Sequence, residues 1–218
     1  MTHSCIPAKL AGLSEVVSSG GNAVIYYSGH AARRGPGQSK ATFNGQRWTY
    51  VEDGVLFAGP PYLISGNYSG RCERIYGRDF HAVIKKMPLG RTITMVFDAC
   101  HISTFFGPAI DFSYVYKANA DGGSEAPSQG KARGSQTQII FVAAAQFGEL
   151  ARTFKQKDNP DEQNGAVTVL MDEFFQARRG PRTAQALVDK LYGGCYKRNQ
   201  RPQIYSLFPV VGNFEILP

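Results

Sequence analysis

A histidine and a cysteine each follow an apolar run, and these are the residues of the sequence most capable of chemistry. His30 follows residues 23–29, and Cys100 follows residues 93–99. Both runs have the length and the β-branched or aromatic content of buried parallel strands. Ligands of α/β sheets bind beyond the carboxyl ends of such strands, so adjacent strands would place the imidazole beside the thiol. A thiol with a neighbouring base is an activated nucleophile.

The neighbours of Cys100 distinguish a reactive site from a buried core thiol, which is the common environment of a free cysteine. Asp98 and His101 flank it, and polar side chains are costly in a buried strand unless the strand has ended. His30 stands in the same relation to its own run, and Gly29 permits a tight turn before it. His101 is a second possible base. Because neighbours along a strand point to opposite sides, we expect it to face away from the thiol.

Helix-like and strand-like patterns alternate along the chain, which predicts an α/β fold with a mostly parallel sheet flanked by helices. The expected strands lie at 23–29, 93–98, 138–145 and 203–208. The expected helices lie at 6–18, 78–87, 166–177 and 183–191. Thr183 is the predicted cap of the last helix, and the glycine pair at 193–194 is its predicted stop.

Two segments lack a long regular pattern. Residues 31–77 are rich in turn formers, with short strands expected at 46–51 and 55–57. Residues 113–137 are rich in Gly, Ser, Ala, Asn and Gln, which predicts a flexible linker or an exposed loop. The length of 218 residues fits one domain, so we expect this linker to lie within the domain.

The composition is that of a globular protein, with 43% hydrophobic and 19% charged residues. No apolar run approaches the roughly 18 to 20 residues that cross a bilayer, and the first ten residues do not resemble a signal peptide. The four cysteines form no Cys-x-x-Cys pair, which argues against a zinc site or a disulfide framework. We therefore expect a soluble, cytoplasmic protein without a membrane partner.

The net charge of +7 raises the question of an acidic partner. The basic residues are dispersed, and no recognised nucleic-acid-binding signature accompanies them. We therefore do not expect nucleic-acid binding, although a basic binding module stays as a weaker alternative.

Two segments resemble the His and Cys blocks of the caspase-like cysteine peptidases, and most closely those of metacaspases. Residues 27–30 read Tyr-Ser-Gly-His, and residues 98–101 read Asp-Ala-Cys-His. A weaker likeness extends over 141–151 and 164–168. Fungal metacaspase-like proteins are similar in carrying an insertion between the two blocks. The resemblance implies a three-layer caspase-like sandwich.

The resemblance implies that the chain is a single catalytic domain. Residues 1–112 correspond to the large-subunit part, 113–137 to the cleavable linker and 138–218 to the small-subunit part. No counterpart of the family's first strand, first helix and second strand precedes residue 6. We therefore expect an N-terminally truncated domain, in which the edge of the His-bearing strand stands open.

The resemblance also implies roles for the two blocks. Cys100 as a thiolate would attack a peptide carbonyl, and His30 would assist proton transfer to the leaving amine. Backbone N–H groups near Gly29 and Cys100 would bind the oxyanion. Ser28 and Gly29 would lie beside the bound peptide.

Metacaspases cleave after Arg or Lys, which requires an acidic pocket. The resemblance assigns Asp98 to that pocket, and Glu149 is a second candidate. The implied partners are proteins or peptides with basic residues. The linker offers Lys117, Lys131 and Arg133 as possible points of self-processing.

The implied chemistry requires no cofactor, but the family often binds calcium through acidic side chains. Glu52 and Asp53 are candidates for such a site. Two adjacent acids in a loop are more often simply solvated, so the metal ligands stay open.

Departures from the family pattern point to an alternative to peptidase activity. Ala31 replaces the glycine that follows the histidine, and Ile102-Ser103 replaces Ser-Gly after the second histidine. Together with the absent first strands, they favour a catalytically impaired caspase-like domain that acts as a binding or scaffold module.

Overall fold

The computed structural model describes most of the chain from residue 21 onward. The described residues are 21–33, 38–43, 46–51, 54–58, 62–64, 67–69, 73–84, 90–106, 110, 112–118, 136–146, 148–155, 163–177, 180, 182–196, 199–210 and 214. The predicted helix at 6–18, the calcium candidates Glu52 and Asp53, and the linker residues Lys131 and Arg133 lie outside them.

The elements within these residues alternate between strand and helix in the second half of the chain. The strands are β1 (Asn22–Ser28), β2 (Ala31–Arg33), β3 (Gln38–Phe43), β4 (Gln46–Val51), β5 (Gly54–Ala58), β6 (Tyr62–Ile64), β7 (Asn67–Ser69), β8 (Glu73–Ile75), β9 (Thr92–Asp98), β10 (Tyr114–Tyr116), β11 (Gln138–Ala143), β12 (Thr153–Lys155), β13 (Gln163–Gly165) and β14 (Gln203–Ser206). The helices are α1 (Gly77–Ile84), α2 (Ala166–Gln176) and α3 (Ala184–Cys195), with a 3-10 turn at Ile102–Thr104.

A five-stranded sheet in the order β1-β9-β11-β14-β10 organises the fold. Strands β1, β9 and β11 are parallel, whereas β14 is antiparallel to both of its neighbours. The prediction of an α/β fold is therefore confirmed. The sheet is mixed, because β14 runs against the direction that the other four strands share.

Apolar side chains cover both faces of the sheet, which explains why the run before Cys100 is continuously apolar. Met95 and Phe97 of β9 pack on one face with Phe80 of α1. Val96 faces the opposite side, in a cluster with α2 and α3 that includes Leu187. Strand β9 thus lies at the centre of two cores, and its carboxyl end is held from both faces.

The last helix confirms one predicted end and corrects the other. Thr183 caps α3, and its hydroxyl oxygen accepts a hydrogen bond from the Ala186 N–H at 3.1 Å. The predicted stop at Gly193 is wrong, because α3 continues to Cys195. A Cβ on Gly194 would lie 2.5 Å from Leu170 of α2, so this glycine permits close helix packing. No helix among the described residues is long and apolar enough to cross a membrane.

The two segments without a long pattern contain more strand than we expected. Strands β4 and β5 confirm the short strands predicted between 31 and 77, and further hairpin strands surround them. The predicted linker is wrong at its start, where Tyr114 and Tyr116 of β10 bury their side chains and pair with β14. Residues 119–135 lie outside the described part of the chain.

Candidate active site

Strands β1 and β9 bring His30 and Cys100 to the same edge of the sheet. Their parallel register pairs Ser28 with Asp98. The Gly29 N–H then donates to the Asp98 carbonyl at 3.2 Å, which extends the ladder beyond β1. His30 and Cys100 each follow the last paired residue of their strand by two positions. Neighbouring strands lie about 4.8 Å apart, so the segments that carry the two residues leave the sheet side by side.

Local packing shapes the backbone before His30. The hydroxyl of Tyr27 donates to the His30 carbonyl at 2.7 Å. A Cβ on Gly29 would lie 2.8 Å from that hydroxyl, so a larger residue here would require the Tyr27 side chain to shift. The Gly29 N–H is engaged by the Asp98 carbonyl, so among the N–H groups near Gly29 this one already has a partner. Ser28 and His30 are both exposed.

Cys100 lies in a turn rather than at the end of a strand. Strand β9 ends at Asp98, and His101 adopts the left-handed conformation with φ 55° and ψ 25°. The argument from strand alternation therefore does not apply to His101. A non-glycine residue in this conformation costs roughly 1–3 kcal/mol and persists only where the surroundings impose it.

Backbone contacts with a distant segment impose that turn. The His101 N–H donates to the Glu149 carbonyl at 3.0 Å, and the Ser103 N–H donates to the Ala145 carbonyl at 3.2 Å. The Ala151 N–H lies 3.2 Å from the Cys100 Sγ and donates to it. Ala145 and Glu149 thus hold the backbone that follows the half-buried Cys100, and Ala151 bonds to its sulfur.

The side chain of Gln200 forms hydrogen bonds at both ends of this segment. Its side chain is fully buried, accepts from the Arg152 N–H at 3.0 Å and donates to the Ala144 carbonyl at 2.9 Å. Sequence reasoning missed Gln200 and Ala151. A lone polar residue in a loop carries no signal of burial, and Ala151 acts through its backbone.

Asp98 is buried and bonds to the first turn of α2. Its Oδ2 accepts from the Thr168 N–H at 2.8 Å and from the Thr168 hydroxyl at 2.7 Å. Burial raises the pKa of the carboxyl, while bonds from Thr168 and the Val167 backbone oppose the rise. A Cβ on Gly165 would collide with the carboxylate, so glycine permits this approach. The positive end of the α2 dipole also favours a negative charge here.

The two Asp98 oxygens differ in their partners. Oδ2 is saturated by α2, whereas Oδ1 is buried without a hydrogen bond to any described residue. Only 4% of the Asp98 surface is exposed. The predicted pocket acid therefore has one oxygen bound to its own helix and one oxygen left for another donor.

A tyrosine on β1 joins this network. The hydroxyls of Tyr26 and Thr168 lie 2.7 Å apart. Because Thr168 donates its proton to Asp98, Tyr26 acts as the donor to Thr168. Tyr26, Thr168 and Asp98 thus form a chain from the exposed side of β1 to the carboxylate. The hydrogen bonds between Asp98 and Thr168 could not be predicted from the sequence, because 70 residues separate the two positions.

Glu149 is paired with a cation of its own chain. Its Oε1 lies 2.5 Å from the Arg201 Nε, and its Oε2 accepts from the Arg201 and Gln146 N–H groups at 2.9 and 3.0 Å. Glu149, the second candidate for the acidic pocket, thus already has a cationic partner within the chain. Burial and then the charge of Glu149 raise the pKa of nearby Tyr205 to about 12, although a bond with Ser103 lowers it.

The described part of the chain contains no group of three His, Cys, Asp or Glu side chains that could hold a metal ion. The calcium candidates Glu52 and Asp53 are not among the described residues. Calcium binding stays a prediction of the resemblance, and no step of the chemistry below depends on it.

Comparisons with known proteins support the fold and leave the activity open. No protein-family model matches the chain, and no curated protein matches it. Among solved structures it is similar to protein GSU0716 from Geobacter sulfurreducens, with a TM-score of 0.56 and 12% sequence identity. That match covers 100% of this chain and 80% of the other. At this identity the likeness concerns the fold alone.

Proposed function

We propose that the chain is a metacaspase-like cysteine endopeptidase that cleaves after Arg or Lys, with Cys100 as nucleophile and His30 as base. The observation that carries the proposal is the in-register parallel pairing of β1 and β9. It brings Ser28 and Asp98, each two residues before a member of the pair, to the edge of the sheet where α/β proteins bind their ligands. We also propose that the α/β fold is of the caspase-like type.

The reaction follows from the chemistry of the pair. The Cys100 thiolate attacks the peptide carbonyl and forms a carbon–sulfur bond. The carbon–nitrogen bond then breaks, and protonated His30 gives its proton to the leaving amine. Water hydrolyses the resulting thioester, with His30 as base, and the thiol is regenerated. The Cys100 N–H acts as a donor to the oxyanion in this proposal.

Asp98 supports the preference for a basic residue. Its Oδ1 is buried and makes no hydrogen bond to the described residues. A buried carboxylate oxygen gains most from a charged donor, and a guanidinium or ammonium group supplies one. The partners in this proposal are therefore proteins or peptides that expose Arg or Lys.

The test is hydrolysis of short amide substrates that end in Arg or Lys. Cys100→Ala is expected to lower the rate by on the order of a thousandfold or more, because it removes the nucleophile. Cys195→Ala is the matched control, since Cys195 is fully buried in α3. Assays with calcium and with a chelator establish whether the ion is required. Equal turnover by wild type and Cys100→Ala would refute the proposal.

A second candidate is a catalytically impaired caspase-like domain that binds or scaffolds partners. Three groups of the site already have partners within the chain. The Gly29 N–H bonds to Asp98, Glu149 pairs with Arg201, and the Cys100 sulfur accepts from Ala151. A peptidyl alkylating agent that ends in Arg separates the candidates. Mass spectrometry should find Cys100 modified in a peptidase and unmodified in a scaffold.

A further inference from the structure

A cavity of about 360 Å³ lies at the end of α3, near the start of β14 and the end of β10. Its lining residues are Lys117, Ala118, Gln146, Tyr192, Tyr196, Arg201, Pro202 and Gln203. The volume lies within the range of small-molecule sites. The lining does not include His30 or Cys100, although Gln146 and Arg201 in the lining both bond to Glu149.

Two cations line this cavity. Lys117 follows β10, and Arg201 precedes β14. Glu149 holds Arg201 by its Nε at 2.5 Å, whereas the two Nη groups make no hydrogen bond to the described residues. The Arg201 side chain is 56% exposed. A guanidinium fixed along one edge keeps its other donors for a planar or tetrahedral anion such as phosphate.

Two tyrosine rings stand one helical turn apart in the same lining. The centroids of Tyr192 and Tyr196 are 4.9 Å apart with an angle of 36° between the rings, and Tyr196 is largely exposed. Exposed aromatic rings are stacking surfaces for nucleobases. The carboxyl end of α3 carries a partial negative charge, so an anion here depends on Lys117 and Arg201.

We propose that this cavity binds a mononucleotide. The base packs against Tyr192 and Tyr196, and the phosphate binds Lys117 and Arg201. The combination of aromatic rings and cations matches both parts of such a ligand, and the volume suits a single nucleotide rather than a strand. The excess of basic residues, a net charge of +7, also attracts anions to the chain.

Isothermal titration of the full chain tests this site with four probes. These are adenosine 5′-monophosphate, adenosine, inorganic phosphate and a short 5′-phosphorylated oligonucleotide. The mononucleotide should bind at least about tenfold more tightly than adenosine or phosphate, because it makes both sets of contacts. The oligonucleotide should bind no more tightly than the mononucleotide.

Substitutions localise the binding. Lys117→Ala and Tyr196→Ala should each weaken mononucleotide binding about tenfold, through loss of a charged contact and of a stacking surface. Lys190→Ala is the matched control, because this exposed lysine pairs with Glu173 and does not line the cavity. Absence of saturable binding at millimolar nucleotide, or unchanged affinity in both cavity variants, would overturn the proposal. Equal affinity for phosphate, or tighter binding of the oligonucleotide, would overturn the mononucleotide assignment.

Discussion

The carboxyl ends of β1 and β9 are held in different ways. Strand β9 has a neighbour on each side and apolar packing on both faces, and residues 145–151 fix the turn that follows it. Strand β1 pairs with β9 alone among the described residues, and Tyr27 contacts the His30 carbonyl from three residues away. Cys100 is thus positioned by long-range contacts, whereas the position of His30 depends more on local geometry. Changes around Cys100 should therefore cost more stability than matched changes around His30.

The sharpest test of this difference substitutes two residues that face each other in the register. Met95 of β9 is fully buried, and its partner Ile25 of β1 is partly buried. Met95→Ala should lower the free energy of unfolding by about 2–5 kcal/mol, because it leaves a cavity in the core. Ile25→Ala should cost less than half as much. Denaturant unfolding measures both, and equal losses would contradict the comparison.

The contact between Asp98 and α2 should give the next largest effect. Thr168→Val removes the hydroxyl that donates to Asp98 Oδ2 and should cost about 1–3 kcal/mol at neutral pH. Thr168→Ser keeps the donor and should recover most of the loss. Thr153→Val is the matched control, since the Thr153 hydroxyl donates to Gln163 in an exposed hairpin. If the valine and serine variants at 168 were equally stable, this bond would not be what holds the two elements together.

Titration of Asp98 gives a smaller effect that depends on pH. Burial raises its folded pKa above the ordinary value of 3.8, so the folded state binds the proton more tightly than the unfolded state. Stability from this group therefore falls as pH rises from about 3.8 through the folded pKa, and it levels off above that pKa. Asp98→Asn removes this titration. The stability of wild type relative to Asp98→Asn should decline across that window, and an increase would show that the pKa is lowered instead.

The elements that frame the site were predictable because their sequence patterns are local. The apolar runs before His30 and Cys100 identified β1 and β9, and Thr183 identified the start of α3. Glycine at position 194 was misread as a stop, since its packing against Leu170 outweighs the low helix propensity of glycine.

The contacts that complete the site were not predictable from such patterns. Ala151 reaches the Cys100 sulfur through its backbone, so its side chain carries no signal. Thr168 meets Asp98 only because β9 and the start of α2 converge across 70 residues of sequence. The pairing of Glu149 with Arg201 depends on a segment 52 residues away, so no local pattern indicates it.

Tyr26→Phe should produce the smallest change and is the best probe of the β1 side. The substitution removes one donor to Thr168 at an exposed position, so it should cost about 0.5–1 kcal/mol. Its effect should vanish in a Thr168→Val background, because the two hydroxyls then no longer share a bond. Denaturant unfolding of the four proteins in this cycle measures the coupling. Additive losses would mean that Tyr26 acts alone, and that the β1 edge does not help to position the carboxylate two residues before Cys100.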